Sequence, residues 1–107
     1  MIPTIARTAE LLRADARLLD ELAANLAGSV VTPTDTGVRL DAAELRALAA
    51  PMASRVVRRA LADAGCAWTE KGIDGILDLA AGRPGRRLAL ADGARAHRDR
   101  THVVVER

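Results

Sequence analysis

The first thirty residues carry apolar positions at helical spacing. Every seventh position is isoleucine or leucine, and a row of alanines repeats with the same period: Ile5, Leu12, Leu19 and Leu26, with Ala9, Ala16 and Ala23. Spacings that alternate between four and three place all of these residues on one side of a helix. We therefore predict a long first helix that begins at Pro3 and Thr4 and ends at Gly28.

The apolar stripe of this helix has two interpretations. Leu11, Leu18 and Leu22 make the stripe wider than a coiled-coil seam, and the alanine row would let another helix backbone approach closely. A homodimer interface through the first helix would use such a stripe. We favour the simpler interpretation, in which the stripe packs on the other helices of the same domain.

A small β-ribbon and the first of three shorter helices are predicted next. The ribbon pairs residues 30–31 with 38–40, which are β-favouring pieces separated by a loop rich in threonine. Asp41 and Glu44 have the spacing of a capping box, in which each residue satisfies a backbone group of the other. This spacing predicts that a short helix begins at Asp41.

Two further helices are bounded by proline, threonine and glycine. Pro51 is typical of the first turn of a helix, and Gly65 is typical of a helix end. Thr69 is a candidate cap for the last helix, which ends at Gly82 and is weakened by glycines at positions 72 and 75. Trp68 precedes that cap, and we expect its large ring to fill the core.

The last quarter of the chain alternates as three strands, 86–90, 94–98 and 102–106. A three-residue loop with Gly93 in the left-handed conformation places Leu88 and Leu90 on the same face as the alanines at 94 and 96. A four-residue turn over 98–101 adds the valines at 103 and 105 to that face and sets His97 opposite His102. The opposite, outward face then collects four polar residues: Arg87, Arg95, His97 and His102.

These elements describe one α+β domain, mainly α, over residues 1–107: a long N-terminal helix, a small β-ribbon, three shorter helices and a C-terminal three-stranded antiparallel meander. The length allows one core, so an enzyme that needs separate nucleotide and substrate domains is excluded. Cys66 is the only cysteine, which excludes a disulfide framework. No apolar run approaches a membrane span and no secretion signal is present, so we expect a cytoplasmic protein without membrane contact.

Charge is distributed unevenly along the chain, although the net charge is only +2. Residues 1–50 carry 5 basic and 7 acidic side chains, and residues 51–82 carry 4 of each. Residues 83–107 carry 7 basic and 3 acidic side chains. All the basic residues except Lys71 are arginines. The positive charge therefore lies in the predicted meander.

Catalytic and metal-binding patterns are absent from the sequence. The segment 82–85 lacks the Lys-Ser/Thr that completes a phosphate-binding loop, and Ser29 and Ser54 lie in no nucleophile-elbow context. His97 and His102 make a poor metal site without a further ligand. We therefore predict no catalytic residue, no metal and no cofactor within this chain.

The arginines point instead to nucleic-acid binding, because guanidinium groups neutralise phosphates regardless of sequence. The chain has no Phe or Tyr on which bases could stack, so a double-helical RNA recognised by backbone and shape fits better. The alternative function is a protein-interaction or dimerisation module in which the arginines serve only solubility. The candidate RNA-binding residues lie in the third helix and the meander: Arg55, Arg58, Arg59, Arg83, Arg86, Arg87, Arg95, Arg98 and Arg100.

Three segments resemble one family in the same order. PTIARTAELLRADA (3–16) resembles the helix that follows the catalytic domain in bacterial tRNA(Ile)-lysidine synthetases. LRALAAPMASRVVRRAL (45–61) is similar to the family's leucine segment and arginine-bearing helix, and GRRLALADGARAHRDR (85–100) is similar to its glycine-rich hairpin. The resemblance extends over nearly the whole chain.

The resemblance implies a role in tRNA modification. In that family ATP adenylates the wobble cytidine of an isoleucine tRNA, and lysine then displaces AMP. The resemblance implies this ligase activity for a parent tRNA(Ile)-lysidine synthase only, because the family's Ser-Gly-Gly-x-Asp-Ser pyrophosphatase loop has no counterpart here. We expect an appendage that binds tRNA beside the parent's catalytic domain, which would hold ATP and magnesium, and that is inactive alone.

Overall fold

A computed structural model describes residues 5–107, with side chains from Arg13 onward. It confirms the α+β class with a predominance of helix. The helices are α1 (Ile5–Val30), α2 (Ala42–Ala47), α3 (Ala50–Asp63) and α4 (Glu70–Ala81). The strands are β1 (Val31–Pro33), β2 (Gly37–Asp41), β3 (Arg87–Ala89), β4 (Arg95–Arg98) and β5 (His102–Glu106). The predicted contributions of Ile5, Ala9, Leu11 and Leu12 to the stripe lie outside the described side chains.

The predicted ribbon and meander form a single sheet. Its five strands are antiparallel in the order β1-β2-β5-β4-β3. The two parts join because β2 pairs with β5, with Val38 opposite Val105 and Leu40 opposite Val103. These four side chains are almost completely buried. Their apolar contacts across β2 and β5 therefore join the ribbon to the meander.

The first hairpin of the meander has the predicted register. Leu88 lies opposite Ala96, and the Leu90 amide donates to the carbonyl oxygen of Ala94 at 2.8 Å. Residues 91–93 form the three-residue loop, and Gly93 has the expected left-handed conformation with φ of 78°. Asp92 is also left-handed, with φ of 57°.

The second hairpin differs from its prediction. His97 lies opposite Val104, not opposite His102, because the turn is tighter than the predicted four residues. The Asp99 carboxylate oxygen Oδ1 accepts hydrogen bonds from the Thr101 amide at 2.9 Å and the His102 amide at 2.6 Å, which closes the chain around Arg100 and Thr101. The register moves by two residues, so every side chain keeps its predicted face.

The helix boundaries follow local capping chemistry with one exception. Asp41 Oδ1 accepts from the Glu44 amide at 2.9 Å, and Thr69 Oγ1 accepts from the Gly72 amide at 2.9 Å. The Cys66 amide donates to Leu61 O at 2.9 Å past a left-handed Gly65, which ends α3 as predicted. The exception is α1, which continues through Gly28 to Val30 because Val30 is buried in the core and leads directly into β1.

The helices cover only one face of the sheet. Val56, Val57 and Leu61 of α3 and Ile73 and Ile76 of α4 share the core with the inward valines and leucine of the strands. Ala23 of α1 joins the same core and Leu26 packs against it, which supports packing within the domain for this part of the stripe. No element that the structure describes covers the other, open face, where Arg39, Arg87 and Arg95 are exposed. None of the helices within residues 5–107 combines the length and apolar character that a membrane span requires.

Two glycines let α4 approach β3. A Cβ atom on Gly75 would lie 2.5 Å from Cδ2 of Leu88, and one on Gly72 would lie 3.5 Å from Cδ2 of Leu90. Glycine lowers helix propensity at these two positions, but the missing side chains let two leucines pack closely against the helix backbone.

Candidate nucleic-acid interface

The open face of the sheet carries a row of side chains across four strands, with an arginine at each end. Strand pairing aligns Arg39 with Val104, Val104 with His97, and His97 with Arg87. Neighbouring strands lie about 4.8 Å apart, so this row separates the Arg39 and Arg87 backbones by about 14 Å. Arg95 lies on the same face one row away, opposite Glu106. The predicted outward face is confirmed; its residues lie beside a shallow depression over β3, β4 and the end of β5.

Arg39 extends this face beyond the residues that the sequence indicated. It was missed because charge was compared by region, although its place between inward Val38 and Leu40 predicts an outward side chain. Arg39 Nη2 lies 3.3 Å from His102 Nδ1. Thr101 Oγ1 lies 2.7 Å from the same nitrogen, so His102 Nδ1 is held between a guanidinium and a hydroxyl group.

The arginines of the open face are free of ion pairs with the described carboxylates. Arg39, Arg87 and Arg95 are exposed, and no carboxylate oxygen of residues 13–107 lies within 4.0 Å of their guanidinium nitrogens. Glu106 lies directly opposite Arg95 on the neighbouring strand, but its carboxylate oxygens are more than 4.0 Å from the Arg95 guanidinium nitrogens. These guanidinium groups are therefore exposed to an external anion.

Three more exposed arginines lie at one end of the sheet. The Gly85 amide donates to Arg98 O at 2.7 Å, and the Arg98 amide donates to Arg86 O at 2.9 Å. These bonds bring the loop before β3 beside the β4–β5 turn. Arg83 on the loop and Arg100 on the turn are thereby brought to one end of the sheet, whereas Arg86 lies opposite Arg98 and its side chain lies beside Gly82 at the end of α4.

Arg98 does not belong to the exposed group. Its residue is 5% exposed, and it points to the helix-covered face, as alternation from outward Arg95 and His97 requires. Nε donates to Leu79 O at 3.1 Å, and Nη1 donates to Asp99 O. The expectation that Arg98 contacts phosphate is corrected, because the guanidinium is buried and bound to backbone carbonyls.

The arginines of α3 lie on the helical side of the sheet and are paired with carboxylates. Arg55 Nη1 lies 2.6 Å from Asp20 Oδ1, which joins α3 to α1. Arg58 Nη2 is 4.0 Å from the same oxygen, and Arg59 Nε is 3.7 Å from Asp63 Oδ2. The predicted set of arginines is therefore divided between two surfaces.

Trp68 corrects a second expectation. It is 40% exposed and lies at the surface beside the α3 arginines instead of filling the core. The Arg58 Cζ atom lies 5.5 Å from the centroid of the indole ring. This distance is within the range of a cation–π interaction, so Arg58 holds the ring in place at the surface.

The Asp99 turn also has an electrostatic signature. Hydrogen bonds from the backbone amides of His102 and Thr101 stabilise the charged carboxylate and lower the pKa of Asp99 below its usual value. Burial opposes this shift of the Asp99 pKa, and the charges of His102 and Arg39 add still smaller contributions that lower it. The turn that presents Arg100 is therefore closed by an ionised side chain at neutral pH.

Comparison with known proteins connects this architecture to a family. Residues 40–103 match the TilS substrate binding domain. A comparison with curated proteins found no match. The matched region runs from the end of β2 to the start of β5, and it includes the arginine-bearing helix and the hairpin at 85–100 that carry the resemblance described above. Since the match covers more than half of the chain and supports a role in binding tRNA, the chain belongs to the family of substrate-binding domains of tRNA(Ile)-lysidine synthetases.

Proposed function

We propose that the open face of the sheet holds the phosphate backbone of tRNA and positions the molecule for its parent enzyme. The observation that carries this proposal is the set of unpaired, exposed guanidinium groups on one uncovered surface. Arg39, Arg87 and Arg95 supply the face, and Arg83 and Arg100 supply its adjoining end.

The chemistry of this surface suits a folded RNA. Arginine contacts to phosphates fix the position of a nucleic acid without reading its bases. The face carries no Phe, Tyr or Trp, since the chain's one tryptophan lies on the helical side of the sheet. Double-helical RNA is recognised mostly through its backbone and shape, which matches a rigid sheet that presents cations at fixed spacings.

The reaction itself belongs, in this proposal, to the catalytic domain of the parent enzyme in the cytoplasm. That domain would use ATP and magnesium to activate the wobble cytidine, and lysine would then be attached. The chain described here would act as the tRNA-positioning part of this ligase and would be inactive alone. Its contribution to the reaction would be tighter tRNA binding and correct placement of the anticodon.

A salt titration of tRNA binding tests the proposal. Loss of each phosphate contact lowers the slope of log affinity against log salt by about one. We expect the double variant Arg87→Ala, Arg95→Ala to lower affinity by about tenfold or more and the slope by about two. The matched control, Arg13→Ala with Arg46→Ala, removes two exposed arginines elsewhere. Equal losses in both double variants would overturn the proposal.

A different flank of α1 favours the alternative function of protein interaction. Leu18 and Leu22 are 54% and 42% exposed, although the core takes up Ala23 and Val30 of the same helix. A homodimer or a docked catalytic domain would cover these leucines. Sedimentation of the wild type and of Leu18→Ser, Leu22→Ser discriminates, since only an interaction module would lose an association step in the variant.

A further inference from the structure

A second basic surface lies between α1 and α3, away from the open face of the sheet. We call it the Trp68 cleft. Its walls are formed by charged side chains from both helices and by the indole ring in the loop after α3. The residues used below are Asp20, Arg55, Arg58, Arg59, Asp63 and Trp68.

The cleft offers an aromatic surface that is already oriented. Trp68 is the only aromatic residue of the chain, and 40% of it is exposed. The guanidinium of Arg58 lies over the ring, 5.5 Å from its centroid. Because the cation already holds the ring in one orientation, stacking a flat ligand on it costs little side-chain conformational entropy.

The arginines of the cleft differ in how firmly they are bound. Arg55 is committed to Asp20 at 2.6 Å, where it fastens α3 to α1. Arg58 is 4.0 Å from the same carboxylate, at the limit of an ion pair, and Arg59 is 3.7 Å from Asp63. The side chains of Arg58 and Arg59 are 39% and 48% exposed. Arg58, from its position over the ring, and Arg59 are therefore accessible to an anionic ligand while Arg55 maintains the structure.

An aromatic ring beside two accessible guanidinium groups is the chemistry that recognises a nucleotide. The ring stacks on a base, and the cations neutralise its phosphate. Only an unpaired nucleotide offers a free base face, because bases within a duplex already stack on one another. The three arginines and two aspartates leave the cleft with one excess positive charge, which favours an anion over a neutral ring.

We propose that the Trp68 cleft binds one unpaired nucleotide of the RNA, with its base on the indole ring of Trp68 and its phosphate on Arg58 and Arg59. This inference rests on the proposed tRNA-binding function but uses a separate surface. The open face of the sheet would hold paired regions by their backbone, and the cleft would hold a single-stranded position of the same RNA.

Intrinsic fluorescence reports on this site directly, because Trp68 is the only tryptophan and the chain has no tyrosine. Titration with a single-stranded RNA tetranucleotide is expected to give saturable quenching. A blunt-ended RNA duplex with the same number of phosphates is expected to give far less, since its bases are not free to stack. The double variant Arg58→Gln, Arg59→Gln should weaken tetranucleotide binding by about tenfold.

A labelled tetranucleotide and fluorescence anisotropy extend the test to Trp68→Leu, with a comparable loss expected. Circular dichroism establishes whether each variant is folded. If Trp68→Leu does not fold, the test relies on the double variant Arg58→Gln, Arg59→Gln. The absence of saturable quenching, or unchanged anisotropy binding in folded variants, would overturn the cleft as a site. The sheet variant Arg87→Ala, Arg95→Ala should leave quenching intact.

The two proposals fail in different ways. If the sheet variant loses tRNA affinity but no probe binds the cleft, the proposed function stands and the cleft inference is overturned. If the sheet variant binds tRNA like its matched control while the tetranucleotide still quenches Trp68, the cleft is supported and the role of the sheet is overturned.

Discussion

Arg98 on β4 donates a hydrogen bond from Nε to the carbonyl oxygen of Leu79 in the last turn of α4, at 3.1 Å. A helix leaves its final carbonyls without internal partners and concentrates partial negative charge at that end. The buried guanidinium adds a second donor to Leu79 O, which also accepts from the Gly82 amide, and it donates to Asp99 O in the turn after β4. One side chain thus connects the helical layer, the sheet and the Asp99 turn.

Arg98→Ala should destabilise the domain by about 2–4 kcal/mol, because buried hydrogen bonds to a charged group and the packed side-chain stem are lost together. Arg98→Lys should recover little, since an ammonium group cannot reproduce the directed donors of a guanidinium. Urea denaturation measures the loss. Arg100→Ala, two residues away and exposed, should change stability by less than about 0.5 kcal/mol. A small effect of both substitutions would contradict the structural role of Arg98.

Asp99→Asn should lower stability at neutral pH by up to about 1 kcal/mol, because the Thr101 and His102 amides would then donate to a neutral acceptor. The folded pKa of Asp99 is lowered from 3.8, so its contribution is complete above that value and is lost as pH falls through the lower folded pKa. The difference between variant and wild type should therefore shrink below pH 3.8. Urea unfolding at a series of pH values measures it.

Asp35→Asn is the matched control for that experiment, because Asp35 is an exposed loop residue whose backbone carbonyl, not its carboxylate, accepts from Arg107. It should leave the acid limb of the stability curve unchanged. A difference for Asp99→Asn that stays constant down to the lowest pH would show that the carboxylate charge does not stabilise the turn.

Gly75→Ala should fail to give the gain of about 1 kcal/mol that alanine brings to an ordinary helix position. Its Cβ would come within 2.5 Å of Leu88 Cδ2, and the leucine would have to move. Combined with Leu88→Ala, the same change should recover that gain, so a double-mutant cycle should show a coupling of about 1 kcal/mol. Additive free energies of unfolding would mean that Leu88 adjusts without cost.

Glu106→Gln should raise tRNA affinity by about two- to fivefold at low salt, because it removes a carboxylate from the face shared with Arg95. The gain should fade as salt rises. Filter binding at several salt concentrations measures both effects. Glu44→Gln, an exposed change of the same charge on α2, provides the comparison and should have little influence. An equal gain from both would indicate a nonspecific effect of net charge.

The faces of the sheet could be predicted from the sequence because side chains alternate with a period of two. This rule placed Arg87, Arg95 and His97 on the open face, and it also predicts the inward position of Arg98. The net charge of a region carries no such information, so it distinguishes neither the inward Arg98 nor the outward Arg39. In a strand, whether a position faces the core or the open side decides what an arginine there can contact.

Features that depend on tertiary structure were not accessible in this way. The pairing partner of His97 depends on how Asp99 folds back on two amides, and sequence spacing allowed a longer turn. The exposure of Trp68 depends on how α1 crosses α3 and on the pairing of Arg55 with Asp20 across 35 positions of sequence. Local patterns predict elements well, but they do not show which surfaces two distant helices leave uncovered.

The strands at the two borders of the sheet, β1 and β3, are only three residues long. Pro33 ends β1 and has no amide hydrogen to offer, and Arg87 begins β3 with an exposed charge. Short borders of this kind give a foreign strand little to pair with, so they oppose edge-to-edge aggregation. Partners are thereby directed to the broad surfaces of the molecule, and the domain can present a flat basic face without inviting growth of its own sheet.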